Sequence, residues 1–446
     1  LPISPARRAS FQILLRTERD KAYTTELLHT QARASLDARD HRLMTELVLG
    51  VLRNQTLLDW YLSRFSRIAF ERLDLEVKLA LRLAAYQILI LTRVPVHAAI
   101  GESVELVKSS RTKSARGLVN AVLRKLSRVE FQQLLEGLSM ETTHDLSIRY
   151  SHPEWLIQRW RHHYDSETVV RLLQRNNQPP RVFLRSNCPG LTRDVLSEEL
   201  TRHQIQAVSS PLCGDILEVI RGDPQETAFL QQHKILLQDM GSQFIPYLLK
   251  ADKTDLCLDL CAAPGGKASQ IAWMTQGEAR VVAMDIHWRR AQTIRELHGS
   301  HWRNLCCVVA DGTQLLPFSV QFDKVLVDAP CSGTGTLRRN AEIRWRLTPG
   351  DLTELSRLQT SLLEKASSSV KPGALLVYST CSLEPEENEQ IITAFLEKHP
   401  EFHVELPADE RFTRFFDSQR YFRVLPSIFD SDGFFAALLR KTQNSR

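Results

Sequence analysis

Apolar residues recur at three- and four-residue spacing through 11–15, 43–52, 79–91 and 118–126, the interval that lines one face of a helix. Strand-like alternation is almost absent before residue 140, so the pattern predicts an all-α domain over 1–140. In 118–126 the predicted buried stripe is Leu118, Val119, Val122, Leu123 and Leu126. Arg116, Asn120, Arg124 and Arg128 recur every fourth residue on another face, with Lys125 beside them. An ordinary solvated helix has that look. So has a ridge that tracks phosphates, helped here by Lys108, Arg111 and Lys113.

The period changes beyond 140. Asn176-Asn177-Gln178-Pro179-Pro180 is a breaker cluster. After it come a strand at 182–184, a helix at 192–203 and strands at 216–220 and 235–237, a small α/β linker module over 141–239. Arg181 and Arg185 flank its first strand, placed to meet RNA or simply solvent. Over 240–446 strands and helices alternate, with predicted strands at 256–260, 281–284, 306–309, 324–327 and 375–378 and two closing strands at 402–406 and 433–440. That is the pattern of a doubly wound, Rossmann-like α/β domain. Such sheets bind ligands beyond the carboxyl ends of their strands.

Composition narrows the class. The 446 residues exceed what one core holds, and 43% hydrophobic with 24% charged residues fits globular domains, not disorder or fibres. The apolar run 79–91 is short and interrupted by Arg82 and Gln87, so no membrane association is expected. No basic-then-apolar leader opens the sequence, and secretion is not expected either. Eight cysteines without paired spacing point to a reducing cytoplasm. Cys257 with Cys261, and Cys306 with Cys307, do not converge as metal ligands, so no metal is expected. A net charge of +5 permits a polyanionic partner.

The candidate chemistry lies at the predicted strand ends. Asp259-Leu260-Cys261-Ala262-Ala263-Pro264-Gly265-Gly266-Lys267 leaves the first strand and opens a helix, whose N-terminal N–H groups suit a carboxylate or phosphate. Asp285 ends the second strand, where a carboxylate accepts hydrogen bonds from ribose hydroxyls. Asp311, after the third, is placed to reach an adenine edge. Together these point to an adenosine-containing cofactor. The fourth strand runs into Asp328-Ala329-Pro330-Cys331-Ser332-Gly333-Thr334-Gly335, and the fifth into Tyr378-Ser379-Thr380-Cys381-Ser382. A cysteine is ordinarily an inert small hydrophobe. Two of them at neighbouring strand tips, in polar loops facing one cleft, do not read as core packing. Arg338, Arg339, Arg344 and Arg346 follow as a basic flank suited to phosphates.

Asp-Ala-Pro-Cys-Ser at 328–332, Ser-Thr-Cys-Ser at 379–382 and Cys-Ala-Ala-Pro-Gly-Gly-Lys at 261–267 resemble the signature of the RNA cytosine-5 methyltransferases, the Nol1/Nop2/Sun family. Gln238-Asp239, Ser242-Gln243 and Asp432-Gly433-Phe434-Phe435 resemble its edges. The helical front is similar to NusB, an RNA-binding antitermination protein, through Arg53 in Gly50-Val51-Leu52-Arg53, Arg-Val-Pro-Val-His-Ala at 93–98 and Asn120-Ala121-Val122-Leu123-Arg124. The resemblance covers nearly the whole chain. It implies a class I fold with S-adenosyl-L-methionine held by Cys261, Ala262, Ala263, Pro264, Gly265, Gly266, Lys267, Asp285, Asp311 and Asp328. It also implies Cys381 as nucleophile, Cys331 as helper in product release, and a single-stranded or loop region of 16S ribosomal RNA as substrate, with no DNA partner and a monomeric enzyme.

The chemistry needs such a pair. Carbon 5 of cytosine is a poor nucleophile until a thiolate adds to carbon 6. A free thiol titrates near about 8.5, so the site must assist Cys381. Asp328 is placed to touch the cofactor, or to hydrogen-bond N3 and the amino group of the ring. The target base must be unstacked, which loops of single-stranded RNA supply at low cost. Three other readings stay open: a non-enzymatic RNA-binding scaffold, methylation of tRNA or 23S ribosomal RNA, and a DNA-type enzyme in which the Pro-Cys cysteine attacks.

Overall fold

The computed structural model describes residues 2–32, 36–91, 93–109 and 111–443. The chain forms two compact units, Leu1–Gln178 with Leu337–Arg346, and Pro179–Thr336 with Leu347–Arg446.

The first unit is helical. Helices Pro5–Arg19, Ala38–Arg53, Gln55–Ser63, Leu75–Leu89, Val96–Lys108 and Arg116–Leu126 surround a core that includes Ile13, Leu14, Val48, Val51, Leu58, Leu81 and Val119. Sequence signals start these helices locally. Pro5 stands in the first turn of its helix, and the Asp37 carboxylate accepts the Asp40 N–H at 2.7 Å as an N-cap. In Arg116–Leu126 the buried residues are Val119, Val122, Leu123 and Leu126, while Arg116, Arg124, Lys125 and Arg128 are exposed and Leu118 and Asn120 are half-buried. Helices Thr143–Tyr150, Glu154–His163 and Ser166–Asn176 complete the unit.

Leu337–Arg346 is a strap threaded among these helices. Ala341 joins the buried core and Trp345 packs against it. Two of the four arginines expected to flank phosphates are instead turned inward: Arg338 is 5% exposed and Arg344 is fully buried. Arg344 donates to the Ser151 and Asn176 carbonyls at 3.0 and 3.1 Å, to Leu337 O at 3.2 Å and to Asn177 Oδ1 at 2.8 Å. Arg346 donates to Thr17 O and Lys21 O, both at 2.9 Å, and to Ala22 O. The Trp345 indole N–H reaches Leu52 O at 2.8 Å, and Arg53 reaches back to Arg338 O at 2.7 Å.

The physical reason lies in the acceptors. A helix leaves its last carbonyls unpaired and its C-terminus partly negative. Thr17, Leu52, Ser151 and Asn176 all lie at such ends. A guanidinium, with five donors in a planar fork, satisfies several of these acceptors at once.

In the second unit, β1 (Val182–Ser186), helix Arg193–Arg202, β2 (Gln206–Ser209), β3 (Leu217–Arg221), helix Ala228–Gln231 and β4 (Ile235–Leu237) form a β-α-β-β-α-β module. Its antiparallel sheet has the order β2-β3-β1-β4, the ferredoxin-like arrangement. Of the flanking arginines, one is ion-paired at the surface and the other is buried. Arg181 pairs with Glu218 at 2.9 Å and with Asp430 at 2.5 Å, and Arg185 is 2% exposed.

The larger sheet contains β5 (Leu256–Asp259), β6 (Arg280–Asp285), β7 (Leu305–Val309), β8 (Phe322–Asp328), β9 (Val370–Thr380), β10 (Phe402–Val404), β11 (Phe422–Val424) and β12 (Phe434–Lys441). The order is β10-β12-β9-β8-β5-β6-β7, with β11 pairing on β12. Strands β5 to β9 run parallel, and β12 is antiparallel to β9. This is the doubly wound, Rossmann-like sheet expected from the alternation. The chain runs outward from β5 through β6 to β7, then returns to place β8 on the other side of β5. The crevice at that reversal is where such sheets take ligands.

Candidate active site

The first loop at the reversal begins at Asp259, the last residue of β5, and ends where helix Gly266–Met274 starts. Its shape depends on Gly265, whose φ is +100° and whose absent Cβ would stand 2.6 Å from the His298 ring. The loop is tied down from several sides. The Ala262 N–H donates to Met284 O at 2.8 Å, Arg290 donates to Ala263 O at 3.1 Å, and the His298 ring lies 3.2 Å from Pro264 O. Arg185 reaches across from the ferredoxin-like module to Gly266 O and, at 2.9 Å, to Ser269 Oγ. It positions the loop from within the protein.

Acidic groups line this crevice. Asp259 is fully buried, and neither carboxyl oxygen has a hydrogen-bond partner. Burial first, then the nearby Asp328 charge, pushes its pKa up to about 8, against the pull of the Lys267 charge. Burial likewise pushes the Cys261 thiol up. Asp285, 3% exposed, accepts the His287 N–H at 3.0 Å and lies 3.6 Å from Arg290. Asp311 stands two residues past the end of β7. It accepts the Thr313 hydroxyl at 2.7 Å and N–H at 2.9 Å, which hold its carboxyl below the ordinary value.

The second half of the site comes from β8 and β9, whose parallel register pairs Asp328 with Ser379. Asp328 accepts the Ser379 hydroxyl on one oxygen at 2.8 Å and the Lys267 ammonium on the other at 2.6 Å. One residue past β9, the Cys381 sulfur lies 3.3 Å from that of Cys331. Gly335 locks the two loops together. Its N–H donates to Cys381 O at 2.9 Å and its carbonyl accepts the Gly433 N–H at 2.8 Å. A Cβ there would stand 2.4 Å from Gly433 O and 2.8 Å from Cys381 O, so only glycine fits.

The Cys381 sulfur first, then burial, and then the Glu387 charge raise Cys331 well above an ordinary thiol. Burial opposes the Lys267 charge, but Asp328 outweighs it, aided by Cys381 and Asp259, and the ammonium is held more firmly than usual. Lys267 therefore places a positive field on Cys381.

The structure thus gathers Lys267, Asp328, Cys331 and Cys381, sets Cys261 to Gly266 and Asp285 around the same loop, and leaves Asp311 in a local turn at the next strand end. Two buried groups escaped the sequence reading. Asp259 was passed over as the first letter of a glycine loop, although an acid closing an otherwise apolar strand is itself a signal. Glu387 sits in Glu384-Pro385-Glu386-Glu387, which reads as a solvated acidic run.

Similarity to known proteins runs along most of the chain. A family model described as 16S rRNA methyltransferase RsmB/F matches residues 246–440, one described as a Methyltr_RsmF/B-like, ferredoxin-like domain matches 152–223, and the NusB family model matches 4–128. The "Probable ribosomal RNA small subunit methyltransferase B" of Bacillus subtilis (strain 168) is 32% identical, covering 98% of each chain. The "Ribosomal RNA small subunit methyltransferase B" of Yersinia pestis bv. Antiqua (strain Angola) is 33% identical with the same coverage. Among solved structures, PH0851 shares the fold at a TM-score of 0.83 and 24% identity, over 99% of this chain and 100% of that one. A methyltransferase homolog protein from Pyrococcus horikoshii gives 0.58 and 26%, over 68% and 99%. With that identity over nearly its full length, the chain belongs to the ribosomal RNA small subunit methyltransferase B family.

Proposed function

We propose that this protein methylates carbon 5 of a cytosine in 16S ribosomal RNA, at the cytosine-967 class of site, with S-adenosyl-L-methionine as cofactor. The observation that carries the reading is the pair of sulfurs 3.3 Å apart beside the Lys267–Asp328 ion pair. The crevice suits the cofactor chemically: its ammonium and sulfonium are cations, its ribose carries two hydroxyl donors, and the loop ends hold the carboxyls of Asp285 and Asp328. Cys261 to Lys267, Asp285, Asp311 and Asp328 are the residues assigned to hold it. When bound, it supplies an electrophilic methyl group.

The chain's own residues do the rest. As its thiolate, Cys381 adds to carbon 6 of the cytosine and makes carbon 5 nucleophilic. Asp328, fixed by Lys267 and Ser379, is oriented to meet the ring edge as charge develops on it. After methylation the carbon 5 proton leaves to solvent and the Cys381–carbon 6 bond breaks. Cys331, held as a thiol, hydrogen-bonds the departing sulfur. The NusB-like unit supplies RNA affinity. Among the described residues no helix is long and apolar enough to cross a membrane. A monomer acting in the cytoplasm completes the reading.

A denaturing gel with RNA and S-adenosyl-L-methionine tests it. Cys381→Ala should neither methylate nor cross-link. Cys331→Ala should methylate and then stall as a ribonuclease-sensitive protein–RNA adduct. An adduct from Cys381→Ala alone would overturn the assignment and favour the DNA-type order of roles. Methylated tRNA or 23S ribosomal RNA in place of 16S, read by bisulfite sequencing, would overturn the substrate.

A further inference from the structure

Glu387 takes no part in the chemistry above, yet it is fully buried between the two cysteine loops. Oε1 accepts the Ser332 N–H at 2.8 Å and the Gln359 amide at 2.9 Å. Oε2 accepts two hydroxyls, those of Ser332 and Ser382. Ser332 directly follows Cys331, and Ser382 directly follows Cys381. The main chain of Glu387 and its partner Gln359 are themselves tied down. Tyr378 donates its hydroxyl to Glu387 O at 2.7 Å, and Gln359 also reaches Pro330 O at 2.9 Å. Next along the chain, Asn388 accepts the Thr380 hydroxyl at 2.6 Å and donates to Ser382 O at 2.9 Å.

We infer that Glu387 is a positioning residue that clamps both cysteine loops in register and, by a buried negative charge held between them, sets the two cysteines apart, leaving the nucleophile's role to Cys381. The inference rests on Cys381 being the nucleophile. Geometry alone does not require a charge here. A glutamine could offer its carbonyl to the two obligate donors, Ser332 N–H and Gln359, and its amide to the two hydroxyls, which can rotate to accept. Burying a carboxylate where a neutral amide would serve is costly. The charge is accounted for by what it faces: it opposes ionisation of Cys331, whose loop it holds through Ser332.

Glu387→Gln therefore separates charge from shape. Site-resolved alkylation by iodoacetamide across pH, read by mass spectrometry on the full-length protein, should show wild-type Cys381 reacting ahead of Cys331. In Glu387→Gln the Cys331 profile should move down by about one pH unit, the lower end for a close like charge, with the melting temperature little changed. Turnover should fall without weaker cofactor binding. Glu387→Ala should lose both register and turnover. An unchanged ratio of Cys331 to Cys381 labelling in Glu387→Gln overturns the inference. So does wild-type protein that labels first at Cys331, whatever the variants do. The labelling uses neither RNA nor cofactor. A protein that labels as expected but leaves cytosine unmethylated refutes the proposed reaction, and its labelling result still stands.

Discussion

Lys267 Nζ stands 2.6 Å from Asp328 Oδ2, in an ion pair whose side chains are 12% and 28% exposed. The pair joins the loop after β5 to the end of β8, and so fixes the two halves of the crevice to each other.

Replacing Lys267 with methionine removes that tie and leaves Asp328 facing Asp259. The expected cost is about 1.5–3 kcal/mol, the range for a hydrogen bond to a charged group. Because Lys267 is raised from 10.5, its contribution is complete below pH 10.5 and fades as pH climbs through the folded value. Urea titrations of both proteins should show a constant gap through neutral pH that narrows in strong alkali. A gap independent of pH would contradict the ion pair.

Asp259, raised from 3.8 to about 8, works in the same sense. The folded protein keeps a proton there that the unfolded chain gives up, so stability falls as pH rises between those values. The slope contributed is at most about 1.4 kcal/mol per pH unit, one proton's worth. Asp259→Asn should flatten that decline and stabilise the ligand-free protein near pH 8. Denaturant midpoints from pH 5 to 9 decide the matter.

Arg344→Met should leave the carbonyls of Ser151, Asn176 and Leu337 buried without their donor, and cost at least about 3 kcal/mol by chemical denaturation. Arg344→Lys should not rescue it, because one ammonium cannot reach acceptors spread around a planar fork. Full stability in the lysine variant would show that charge, not shape, matters there.

Neutralising two of Arg124, Lys125 and Arg128 should flatten the slope of log RNA affinity against log salt by about 1.4–1.8 units if both contact phosphate. An unmoved slope would mark that helix face as merely solvated.

Much of this protein was legible in its sequence, and the failures share a cause. The stripe through Val119 and Leu126 and the strands ending at Asp285 and Asp328 were readable because burial follows a local period. Cys331 and Cys381 were readable as neighbours because consecutive parallel strands end on one edge. Strand β2 was missed, since Gln206-Ala207-Val208-Ser209 has no apolar alternation and is held by its partner β3. Arg338 and Arg344 were misread as phosphate contacts, and Arg185 was read as meeting RNA or solvent, when all three are buried. A guanidinium looks the same in a sequence whether its acceptor is a nucleic acid or a carbonyl, and those carbonyls lie far away along the chain. Glu387 was hidden for the same reason: the loop of Ser332 and the helix of Gln359 reach it only through the fold.

The strap Leu337–Arg346 makes the helical unit indivisible as an inherited cassette. A recombination event that exchanged residues 1–178 for a homologous front would import helix ends that had never met these arginines, and it would orphan the incoming carbonyls. The two stretches, far apart in the gene, must therefore change together. A substitution near Thr17, Leu52, Ser151 or Asn176 should be answered in 337–346, deep within the sequence of the enzyme half.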